Sequence, residues 1–403
     1  MWMLSWFLSK TVREAVDLGR QIRKLLRSQM DLLPTDSVAR IAAARADLKR
    51  LVRSGADKAA LGAAMRKLEK VATDHLKPYP NPRWRENVEV LLVTGAVVLA
   101  LRTFFFQPMA IPTGSAQPTL YGIEHVDLRN QPETPIPAGL HRLFRSWWHG
   151  ERYYHFVARQ SGQFRWVDRQ PKRVFPLVSK QRFRIGNDLY TVWFPPDNLE
   201  GRADLREGQS FASGDEIIRL KVTSGDHLFV NRLIYNFRHP HRGEIIVFAS
   251  AGLPGLTPDT HYIKRLIALG NETVSIGDDR HVVINGERLD ASTPGFENVY
   301  GFDPAEPPRR NQYSGHVNGH AARLAGHREL GNVIRLFPDA TAQYTVRPDH
   351  YLVFGDNTMN STDSRMWGDI ARGIPGDIPE EKVIGRASFV FWPISQRFGL
   401  GYR

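Results

Sequence analysis

Hydrophobic and polar positions along this chain follow three rhythms in succession. From Thr11 to His75, apolar residues recur at helical spacing, with Ile22, Leu25 and Leu26 and then Val38, Ile41 and Ala42, on a background of Ala, Leu, Arg and Lys. That spacing predicts two or three amphipathic helices. Leu33-Pro34-Thr35-Asp36 punctuates the stretch, with Asp36 placed as an N-cap. The prolines of Lys77-Pro78-Tyr79-Pro80-Asn81-Pro82 close it. The second rhythm is a nearly unbroken apolar run, Val88 to Phe106. Its core, Val90 to Leu101, is about 12 residues and by length alone fits a buried helix as well as a membrane span. The flanks favour the membrane: Trp84 and Phe104 to Phe106 suit interfacial belts, and Arg102 can snorkel. Met1 to Leu8 is apolar and aromatic but far short of the roughly 20 residues a span needs. It is read as an interfacial anchor or the start of a helix.

Beyond Leu120 the rhythm is that of short strands. Tyr121 to Thr223 holds strand-like pieces, Tyr153 to Val157 and Asp188 to Phe194, and turn signals at Gly186-Asn187 and Pro195-Pro196-Asp197-Asn198. It reads as a β-rich insertion with no motif tied to chemistry. Asp226 to Val230 and Gly243 to Ala249 are strands, His261 to Gly270 another, and Asn271 to Asp290 a hairpin turning at Asn285-Gly286. Ala291 to Asp349, rich in Pro, Gly and His, is expected to be a second, looser insertion. Tyr351 to Phe354 is a strand that runs into a polar loop ending at Gly368, and Ala387 to Pro393 an aromatic strand, either core or membrane-facing.

Composition narrows the classes. At 403 residues the chain holds two or three domains. It has no cysteine, which excludes disulfides, thiolate metal sites and a cysteine nucleophile. The net charge of +12 could suggest nucleic acid, but Lys10 to Arg85 alone holds 18 Lys/Arg against 8 Asp/Glu. A basic flank on one side of a span is the positive-inside pattern, and no nucleic-acid partner is expected.

Two stretches are candidates for chemistry. In Ile111-Pro112-Thr113-Gly114-Ser115-Ala116-Gln117-Pro118-Thr119-Leu120, the prolines bar a helix and Gly114 allows close approach just before a serine. Ser115 is either a turn serine or an exposed nucleophile, and the loop alone does not decide. In His261 to Gly270, Lys264 lies between Tyr262-Ile263 and Leu266-Ile267. Strand alternation puts it on the face opposite Ile263 and Arg265. It either snorkels from an edge strand or is held in an apolar setting. A free lysine is neutral in about one molecule in 2,500 at pH 7, and lowering its pKa to about 7 means disfavouring the charged form by roughly 4.6 kcal/mol, which burial can do. A neutral lysine can accept a serine proton. His316, His320 and His327 invite comparison with a metal set, but Gly315, Gly319 and Gly326 interrupt any helix that would align them, and no metal is assigned. A Ser-His-Asp triad drawn from the 14 histidines has no local signature.

Together these stretches resemble the bacterial type I signal peptidases, membrane-bound serine/lysine endopeptidases. Ile-Pro-Thr-Gly-Ser-Ala-Gln-Pro-Thr-Leu resembles the nucleophile box, and Arg242-Gly-Glu-Ile-Ile-Val-Phe248 a strand box. Tyr262-Ile-Lys-Arg-Leu-Ile-Ala-Leu-Gly270 resembles the general-base box, and Gly355-Asp-Asn-Thr-Met-Asn-Ser-Thr-Asp-Ser-Arg-Met-Trp-Gly368 the fourth, all in family order. The resemblance covers Glu86 to Tyr121 and Ser224 to Trp392, with gaps. It implies a mainly β fold, a catalytic domain of coiled antiparallel sheets after one transmembrane helix and a cytoplasmic helical region. It implies Ser115 as nucleophile, Lys264 as general base, and Thr113 with the Ser115 N–H as oxyanion hole. Ser361 would orient the lysine, Asp363 and Arg365 would form a supporting ion pair, and Asp356 would support the site. No cofactor is implied. The expected substrates are signal peptides of exported preproteins cut after Ala-X-Ala. The bilayer is the expected setting and the secretion translocon a further candidate partner. The expected location is the bacterial inner membrane, single-pass, N-terminus cytoplasmic and catalytic domain on the periplasmic side. The divisions are then 1–86 (cytoplasmic helices), 87–106 (span), 107–122 (nucleophile loop), 123–223 (insertion), 224–290 (core with the base strand), 291–349 (second insertion) and 350–403 (end of the core). Ala116 stands where the family usually has Met, and Thr358 where Arg is common. The first of the two spans of some Gram-negative members is expected to be absent or reduced to Met1–Leu8. Two other readings stay open: a self-cleaving repressor with a similar dyad, which the apolar run argues against, and a membrane scaffold in which the serine and lysine are incidental.

Overall fold

The structure, a computed structural model, describes residues 9–77, 81–176 and 178–399. Met1 to Leu8, read above as an interfacial anchor, lies outside the described residues. The chain divides into two compact units, residues 1–95 and 96–403.

In the first unit three helices, α1 (Lys10–Gln29), α2 (Thr35–Ser54) and α3 (Lys58–His75), share one apolar core. Ile22, Ile41, Leu48, Leu61 and Leu68 are buried in it. Leu25 and Ala42, assigned by spacing to the same stripes, face outward. The N-cap position of α2 is Pro34, not Asp36. Asp36 sits in the first turn, where its charge meets the positive end of the helix dipole and pairs with Arg40. A fourth helix, α4 (Pro82–Ala100), runs on through a wider turn, Leu101–Phe105. The apolar helix Arg83–Phe105 is 23 residues long, enough to cross a membrane, and its most apolar window is fully exposed.

The second unit is built on a seven-stranded antiparallel sheet. Its strands are β1 (Phe106–Ala110), β2 (His227–Asn231), β3 (Ile245–Ala249), β4 (His261–Ala268), β5 (His350–Phe354), β6 (Ile378–Pro379) and β7 (Val383–Trp392), in the order β1-β2-β7-β3-β4-β5-β6. Register shifts between β2 and β7, β3 and β7, and β4 and β5 mark bulges, which bend and coil such a sheet. β3 explains why its sequence is apolar throughout: Ile245 and Val247 pack into one core cluster, and Ile246 and Phe248 into another.

Residues 123–223 form two further sheets. The strand Glu216–Thr223 lies between Glu124–Asp127 and Glu151–Val157. The hairpin Val178–Ile185 and Asp188–Trp193 turns at Gly186-Asn187 within the other sheet. Phe164, Phe183, Val192, Ile217 and Ile218 are fully buried in the cluster these sheets share. Asn285 and Gly286 both have positive φ, 51° and 87°, as the tight hairpin there requires. The expectation that residues 291–349 are loose is overturned. Phe296, Val299, Val317, Ile334, Leu336 and Phe337 are buried together with Ile267, Leu352 and Phe354. Prolines and glycines deny this segment long strands, yet its apolar residues still fill the core.

Candidate active site

Ser115 lies in a single 3-10 turn, Gly114–Ala116, a few residues past β1. Asp226 clamps both ends of this loop. Ile111 N–H donates to the Asp226 carbonyl at 2.9 Å, and Tyr121 N–H to its carboxylate at 2.8 Å. Asn357 holds the middle: its N–H donates to the Ser115 carbonyl at 3.1 Å and its side-chain amide to the Gly114 carbonyl at 2.8 Å. The two loops come so close that a Cβ on Gly355 would sit 2.4 Å from the Ser115 carbonyl oxygen and 2.2 Å from Ser361 Oγ. Only glycine fits there.

β4 brings the base candidate to this turn. β4 lies inside the sheet, between β3 and β5, and Lys264, paired with Ile246, is buried. The edge-strand alternative for this lysine therefore falls. Lys264 Nζ is 2.8 Å from Ser115 Oγ and donates to Ser361 Oγ at 3.1 Å. Among the described residues no carboxylate contacts the amine. Burial lowers its pKa to about 8, against the pull of Asp363, with Arg365 adding to the depression.

Asp363 and Arg365 form a wholly buried pair, with Arg365 Nε and Nη2 each 2.8 Å from the carboxylate. Gly355 N–H also donates to Asp363, at 3.0 Å. Burial pushes the Asp363 carboxyl up, but Arg365 prevails and holds it below the usual range. Thr358, where the resembled family commonly has arginine, is buried and takes a hydrogen bond from Arg365 Nη1 at 2.7 Å and one from Val317 N–H at 2.9 Å.

The other face of β4 carries a second buried pair. Arg265 Nε and Nη2 donate to Asp356 at 2.7 and 2.5 Å, and Arg265 Nη1 to the carbonyls of Gly243 and Gly295. The Thr119 hydroxyl donates to Asp356, and Tyr313 OH lies 2.7 Å from Thr119 Oγ1. Asp356 was expected near the site. Arg265, Thr119 and Asp226 were not singled out, although Arg265 and Thr119 stand inside the two boxes quoted above. Strand alternation already put Arg265 on the face opposite Lys264, but nothing local named Asp356 as its partner.

Thr113 is extended and exposed just before the serine turn. Ala116 is buried among Ile111, Leu120, Leu228 and Val230. The three histidines considered for a metal are not gathered: His316 Nδ1 meets Tyr300 OH at 3.0 Å, His320 meets Asp278 at 3.1 Å, and His327 is exposed at the start of a short helix. Among the described residues no His/Cys/Asp/Glu group has a metal-holding arrangement. Burial, reinforced by Arg365, holds His316 down to about 3, so it is neutral.

This arrangement can do acyl-transfer chemistry: a hydroxyl, an amine poised to lose its proton, and a second hydroxyl, that of Ser361, that fixes the amine. The family model for signal peptidase, peptidase S26, matches residues 218–392, which include Lys264, Asp356, Ser361, Asp363 and Arg365 but not Ser115 or Thr113. Signal peptidase I of Pseudomonas aeruginosa is 30% identical over 208 residues, 48% of this chain and 67% of that protein. That of Leptolyngbya laminosa is 30% identical over 203 residues, 50% of this chain and 75% of that protein. Signal peptidase I T of Bacillus subtilis is 31% identical over 173 residues, 43% of this chain and 67% of that protein. A crystal structure of a signal peptidase I from Enterococcus faecalis is 24% identical and aligns with 38% of this chain and 98% of its own, with a TM-score of 0.22. At these identities and coverages the chain belongs to the signal peptidase I family of peptidase S26 enzymes.

Proposed function

We propose that this chain is a membrane-bound serine endopeptidase that removes N-terminal signal peptides from exported preproteins after Ala-X-Ala, with Ser115 as nucleophile and neutral Lys264 as general base. One observation carries the dyad: a buried amine, with no carboxylate in contact among the described residues, 2.8 Å from a serine hydroxyl. With a pKa of about 8, roughly one amine in ten is neutral at pH 7. That amine takes the Ser115 proton as Oγ attacks the scissile carbonyl carbon. The oxyanion then forms beside the Ser115 N–H and the Thr113 hydroxyl. On collapse, the Lys264 ammonium returns the proton to the departing amine, and the acyl group stays on Ser115. A water, deprotonated by the same amine, releases it. Ser361 holds the amine in line, and the Asp363–Arg365 pair fixes the loop that carries Ser361. Membership of the signal peptidase I family supports the Ala-X-Ala preference.

The helix Arg83–Phe105 supports the membrane setting, and the basic excess before it supports an N-terminus on the cytoplasmic side with Ser115 beyond the outer face. The bilayer and preprotein signal peptides are then the partners, with the translocon a candidate.

The test is cleavage, in detergent, of a preprotein with an Ala-X-Ala site by wild type, Ser115→Ala and Lys264→Ala. Wild type cuts at that bond and both variants lose at least about a thousandfold. Cleavage that survives either substitution removes the dyad.

A further inference from the structure

The helix Gly139–His149, α5 here, is inside out. Leu140, Leu143, Phe144, Trp147 and Trp148 follow one another at helical spacing and form one stripe. In a globular protein such a stripe turns to the core. Here none of the helix is buried, and Leu140, Leu143 and Trp147 are 83%, 66% and 73% exposed. The polar side does the docking. Arg145 forms a bidentate pair with Glu151, Arg142 donates to the Tyr153 carbonyl, and His149 Nδ1 meets the Ile394 carbonyl at 3.2 Å.

The stripe is not isolated. Phe106 is the first residue after the 23-residue apolar helix. Its ring meets Phe229 at 6.4 Å, Phe229 meets Phe391 at 4.5 Å, and Phe391 and Trp392 flank His227 at 5.9 and 4.8 Å. Trp392 Nε1 donates to the Trp147 carbonyl at 2.7 Å, so the aromatic path ends on α5. α5 carries no acidic side chain, and although Glu151 matches the charge of Arg145, His141 and Arg142 remain exposed, so nothing on the helix repels anionic headgroups. An exposed stripe of Trp, Phe and Leu about 16 Å long, on a helix without acidic residues, is the pattern of a helix that lies in the plane of a bilayer interface.

We infer that α5 is an interfacial membrane anchor, an attachment point separate from the crossing helix and supplied by a segment outside the family match. This rests on the membrane-bound reading above, and the test separates the two. The chain has no cysteine, so single cysteines can be introduced at Leu143, at Val93 in the apolar helix and at Leu324, exposed elsewhere in the second unit. Each full-length variant, labelled with an environment-sensitive fluorophore, is reconstituted into vesicles of phosphatidylethanolamine and phosphatidylglycerol. The label from Leu143→Cys should emit at least about 10 nm to the blue of that from Leu324→Cys and be quenched at least about twofold more by nitroxides on the lipid acyl chains. Water-like emission at 143 with a buried label at 93 overturns the anchor and leaves the membrane reading standing. A blue shift at 143 without acyl-chain quenching means protein covers the helix and also overturns it. Water-like emission at 93 removes both.

Discussion

Lys264 and Arg265 are neighbours on one strand, both buried and both basic, and the structure gives them opposite environments. Lys264 faces hydroxyls, Ser115 and Ser361, with the carboxylates held beyond contact. Arg265 faces a carboxylate directly and two carbonyls besides. Burial depresses the amine to about 8, whereas Asp356 keeps the guanidinium charged against the same burial. The lesson is that burial makes a base only where no counter-ion touches it. With one in contact, burial makes a brace.

The largest effect is expected at Lys264 itself. Lys264→Arg keeps the positive charge but cannot lose its proton, so the cleavage rate should fall by about a thousandfold or more at every pH from 6 to 10. Residual activity rising steeply with pH would show that another group is the base. The brace is tested next. Asp356→Asn leaves Arg265 buried without its counter-ion and should destabilise the second unit by about 3–5 kcal/mol in denaturant unfolding. A loss under about 1 kcal/mol would show that the two carbonyl acceptors suffice. The smallest effect comes from making the two sides alike. In wild type, cleavage should rise with pH through about 8 and level off above it, because only the neutral amine accepts the serine proton. Ser361→Asp places a carboxylate against the amine, favours the ammonium and should raise that midpoint by about one unit or more, costing roughly tenfold at pH 7. An unmoved midpoint would show that contact with a carboxylate is not what separates the two sides.

Legibility was uneven for physical reasons. The base strand was readable because a lysine among Tyr262, Ile263, Leu266 and Ile267 conflicts with its setting, and such conflicts mark function or strain. The turn at Asn285-Gly286 was readable because positive φ selects those residues. Residues 291–349 were misjudged because their composition reports on backbone regularity, not on burial. Phe296, Val317 and Phe337 are core residues reached through turns. The stripe of α5 was hidden in a stretch read only as β-rich, and its outward orientation depends on Glu151, Tyr153 and Ile394, none of which the helix's own sequence specifies.

By itself, the sequence determined the local features: two or three amphipathic helices, an apolar run whose flanks favour a membrane, short strands, and a serine and a lysine each in an unusual setting. These are set by the spacing of apolar residues and by the backbone limits of Pro and Gly, which act over a few residues. The tertiary structure decided what lies 149 residues apart in sequence, where Ser115 and Lys264 come within 2.8 Å. It also decided which carboxylate touches which cation, and thus which of two adjacent basic residues can be neutral. Desolvation and Coulomb pairing depend on distance in space, and sheet order and bulges set those distances.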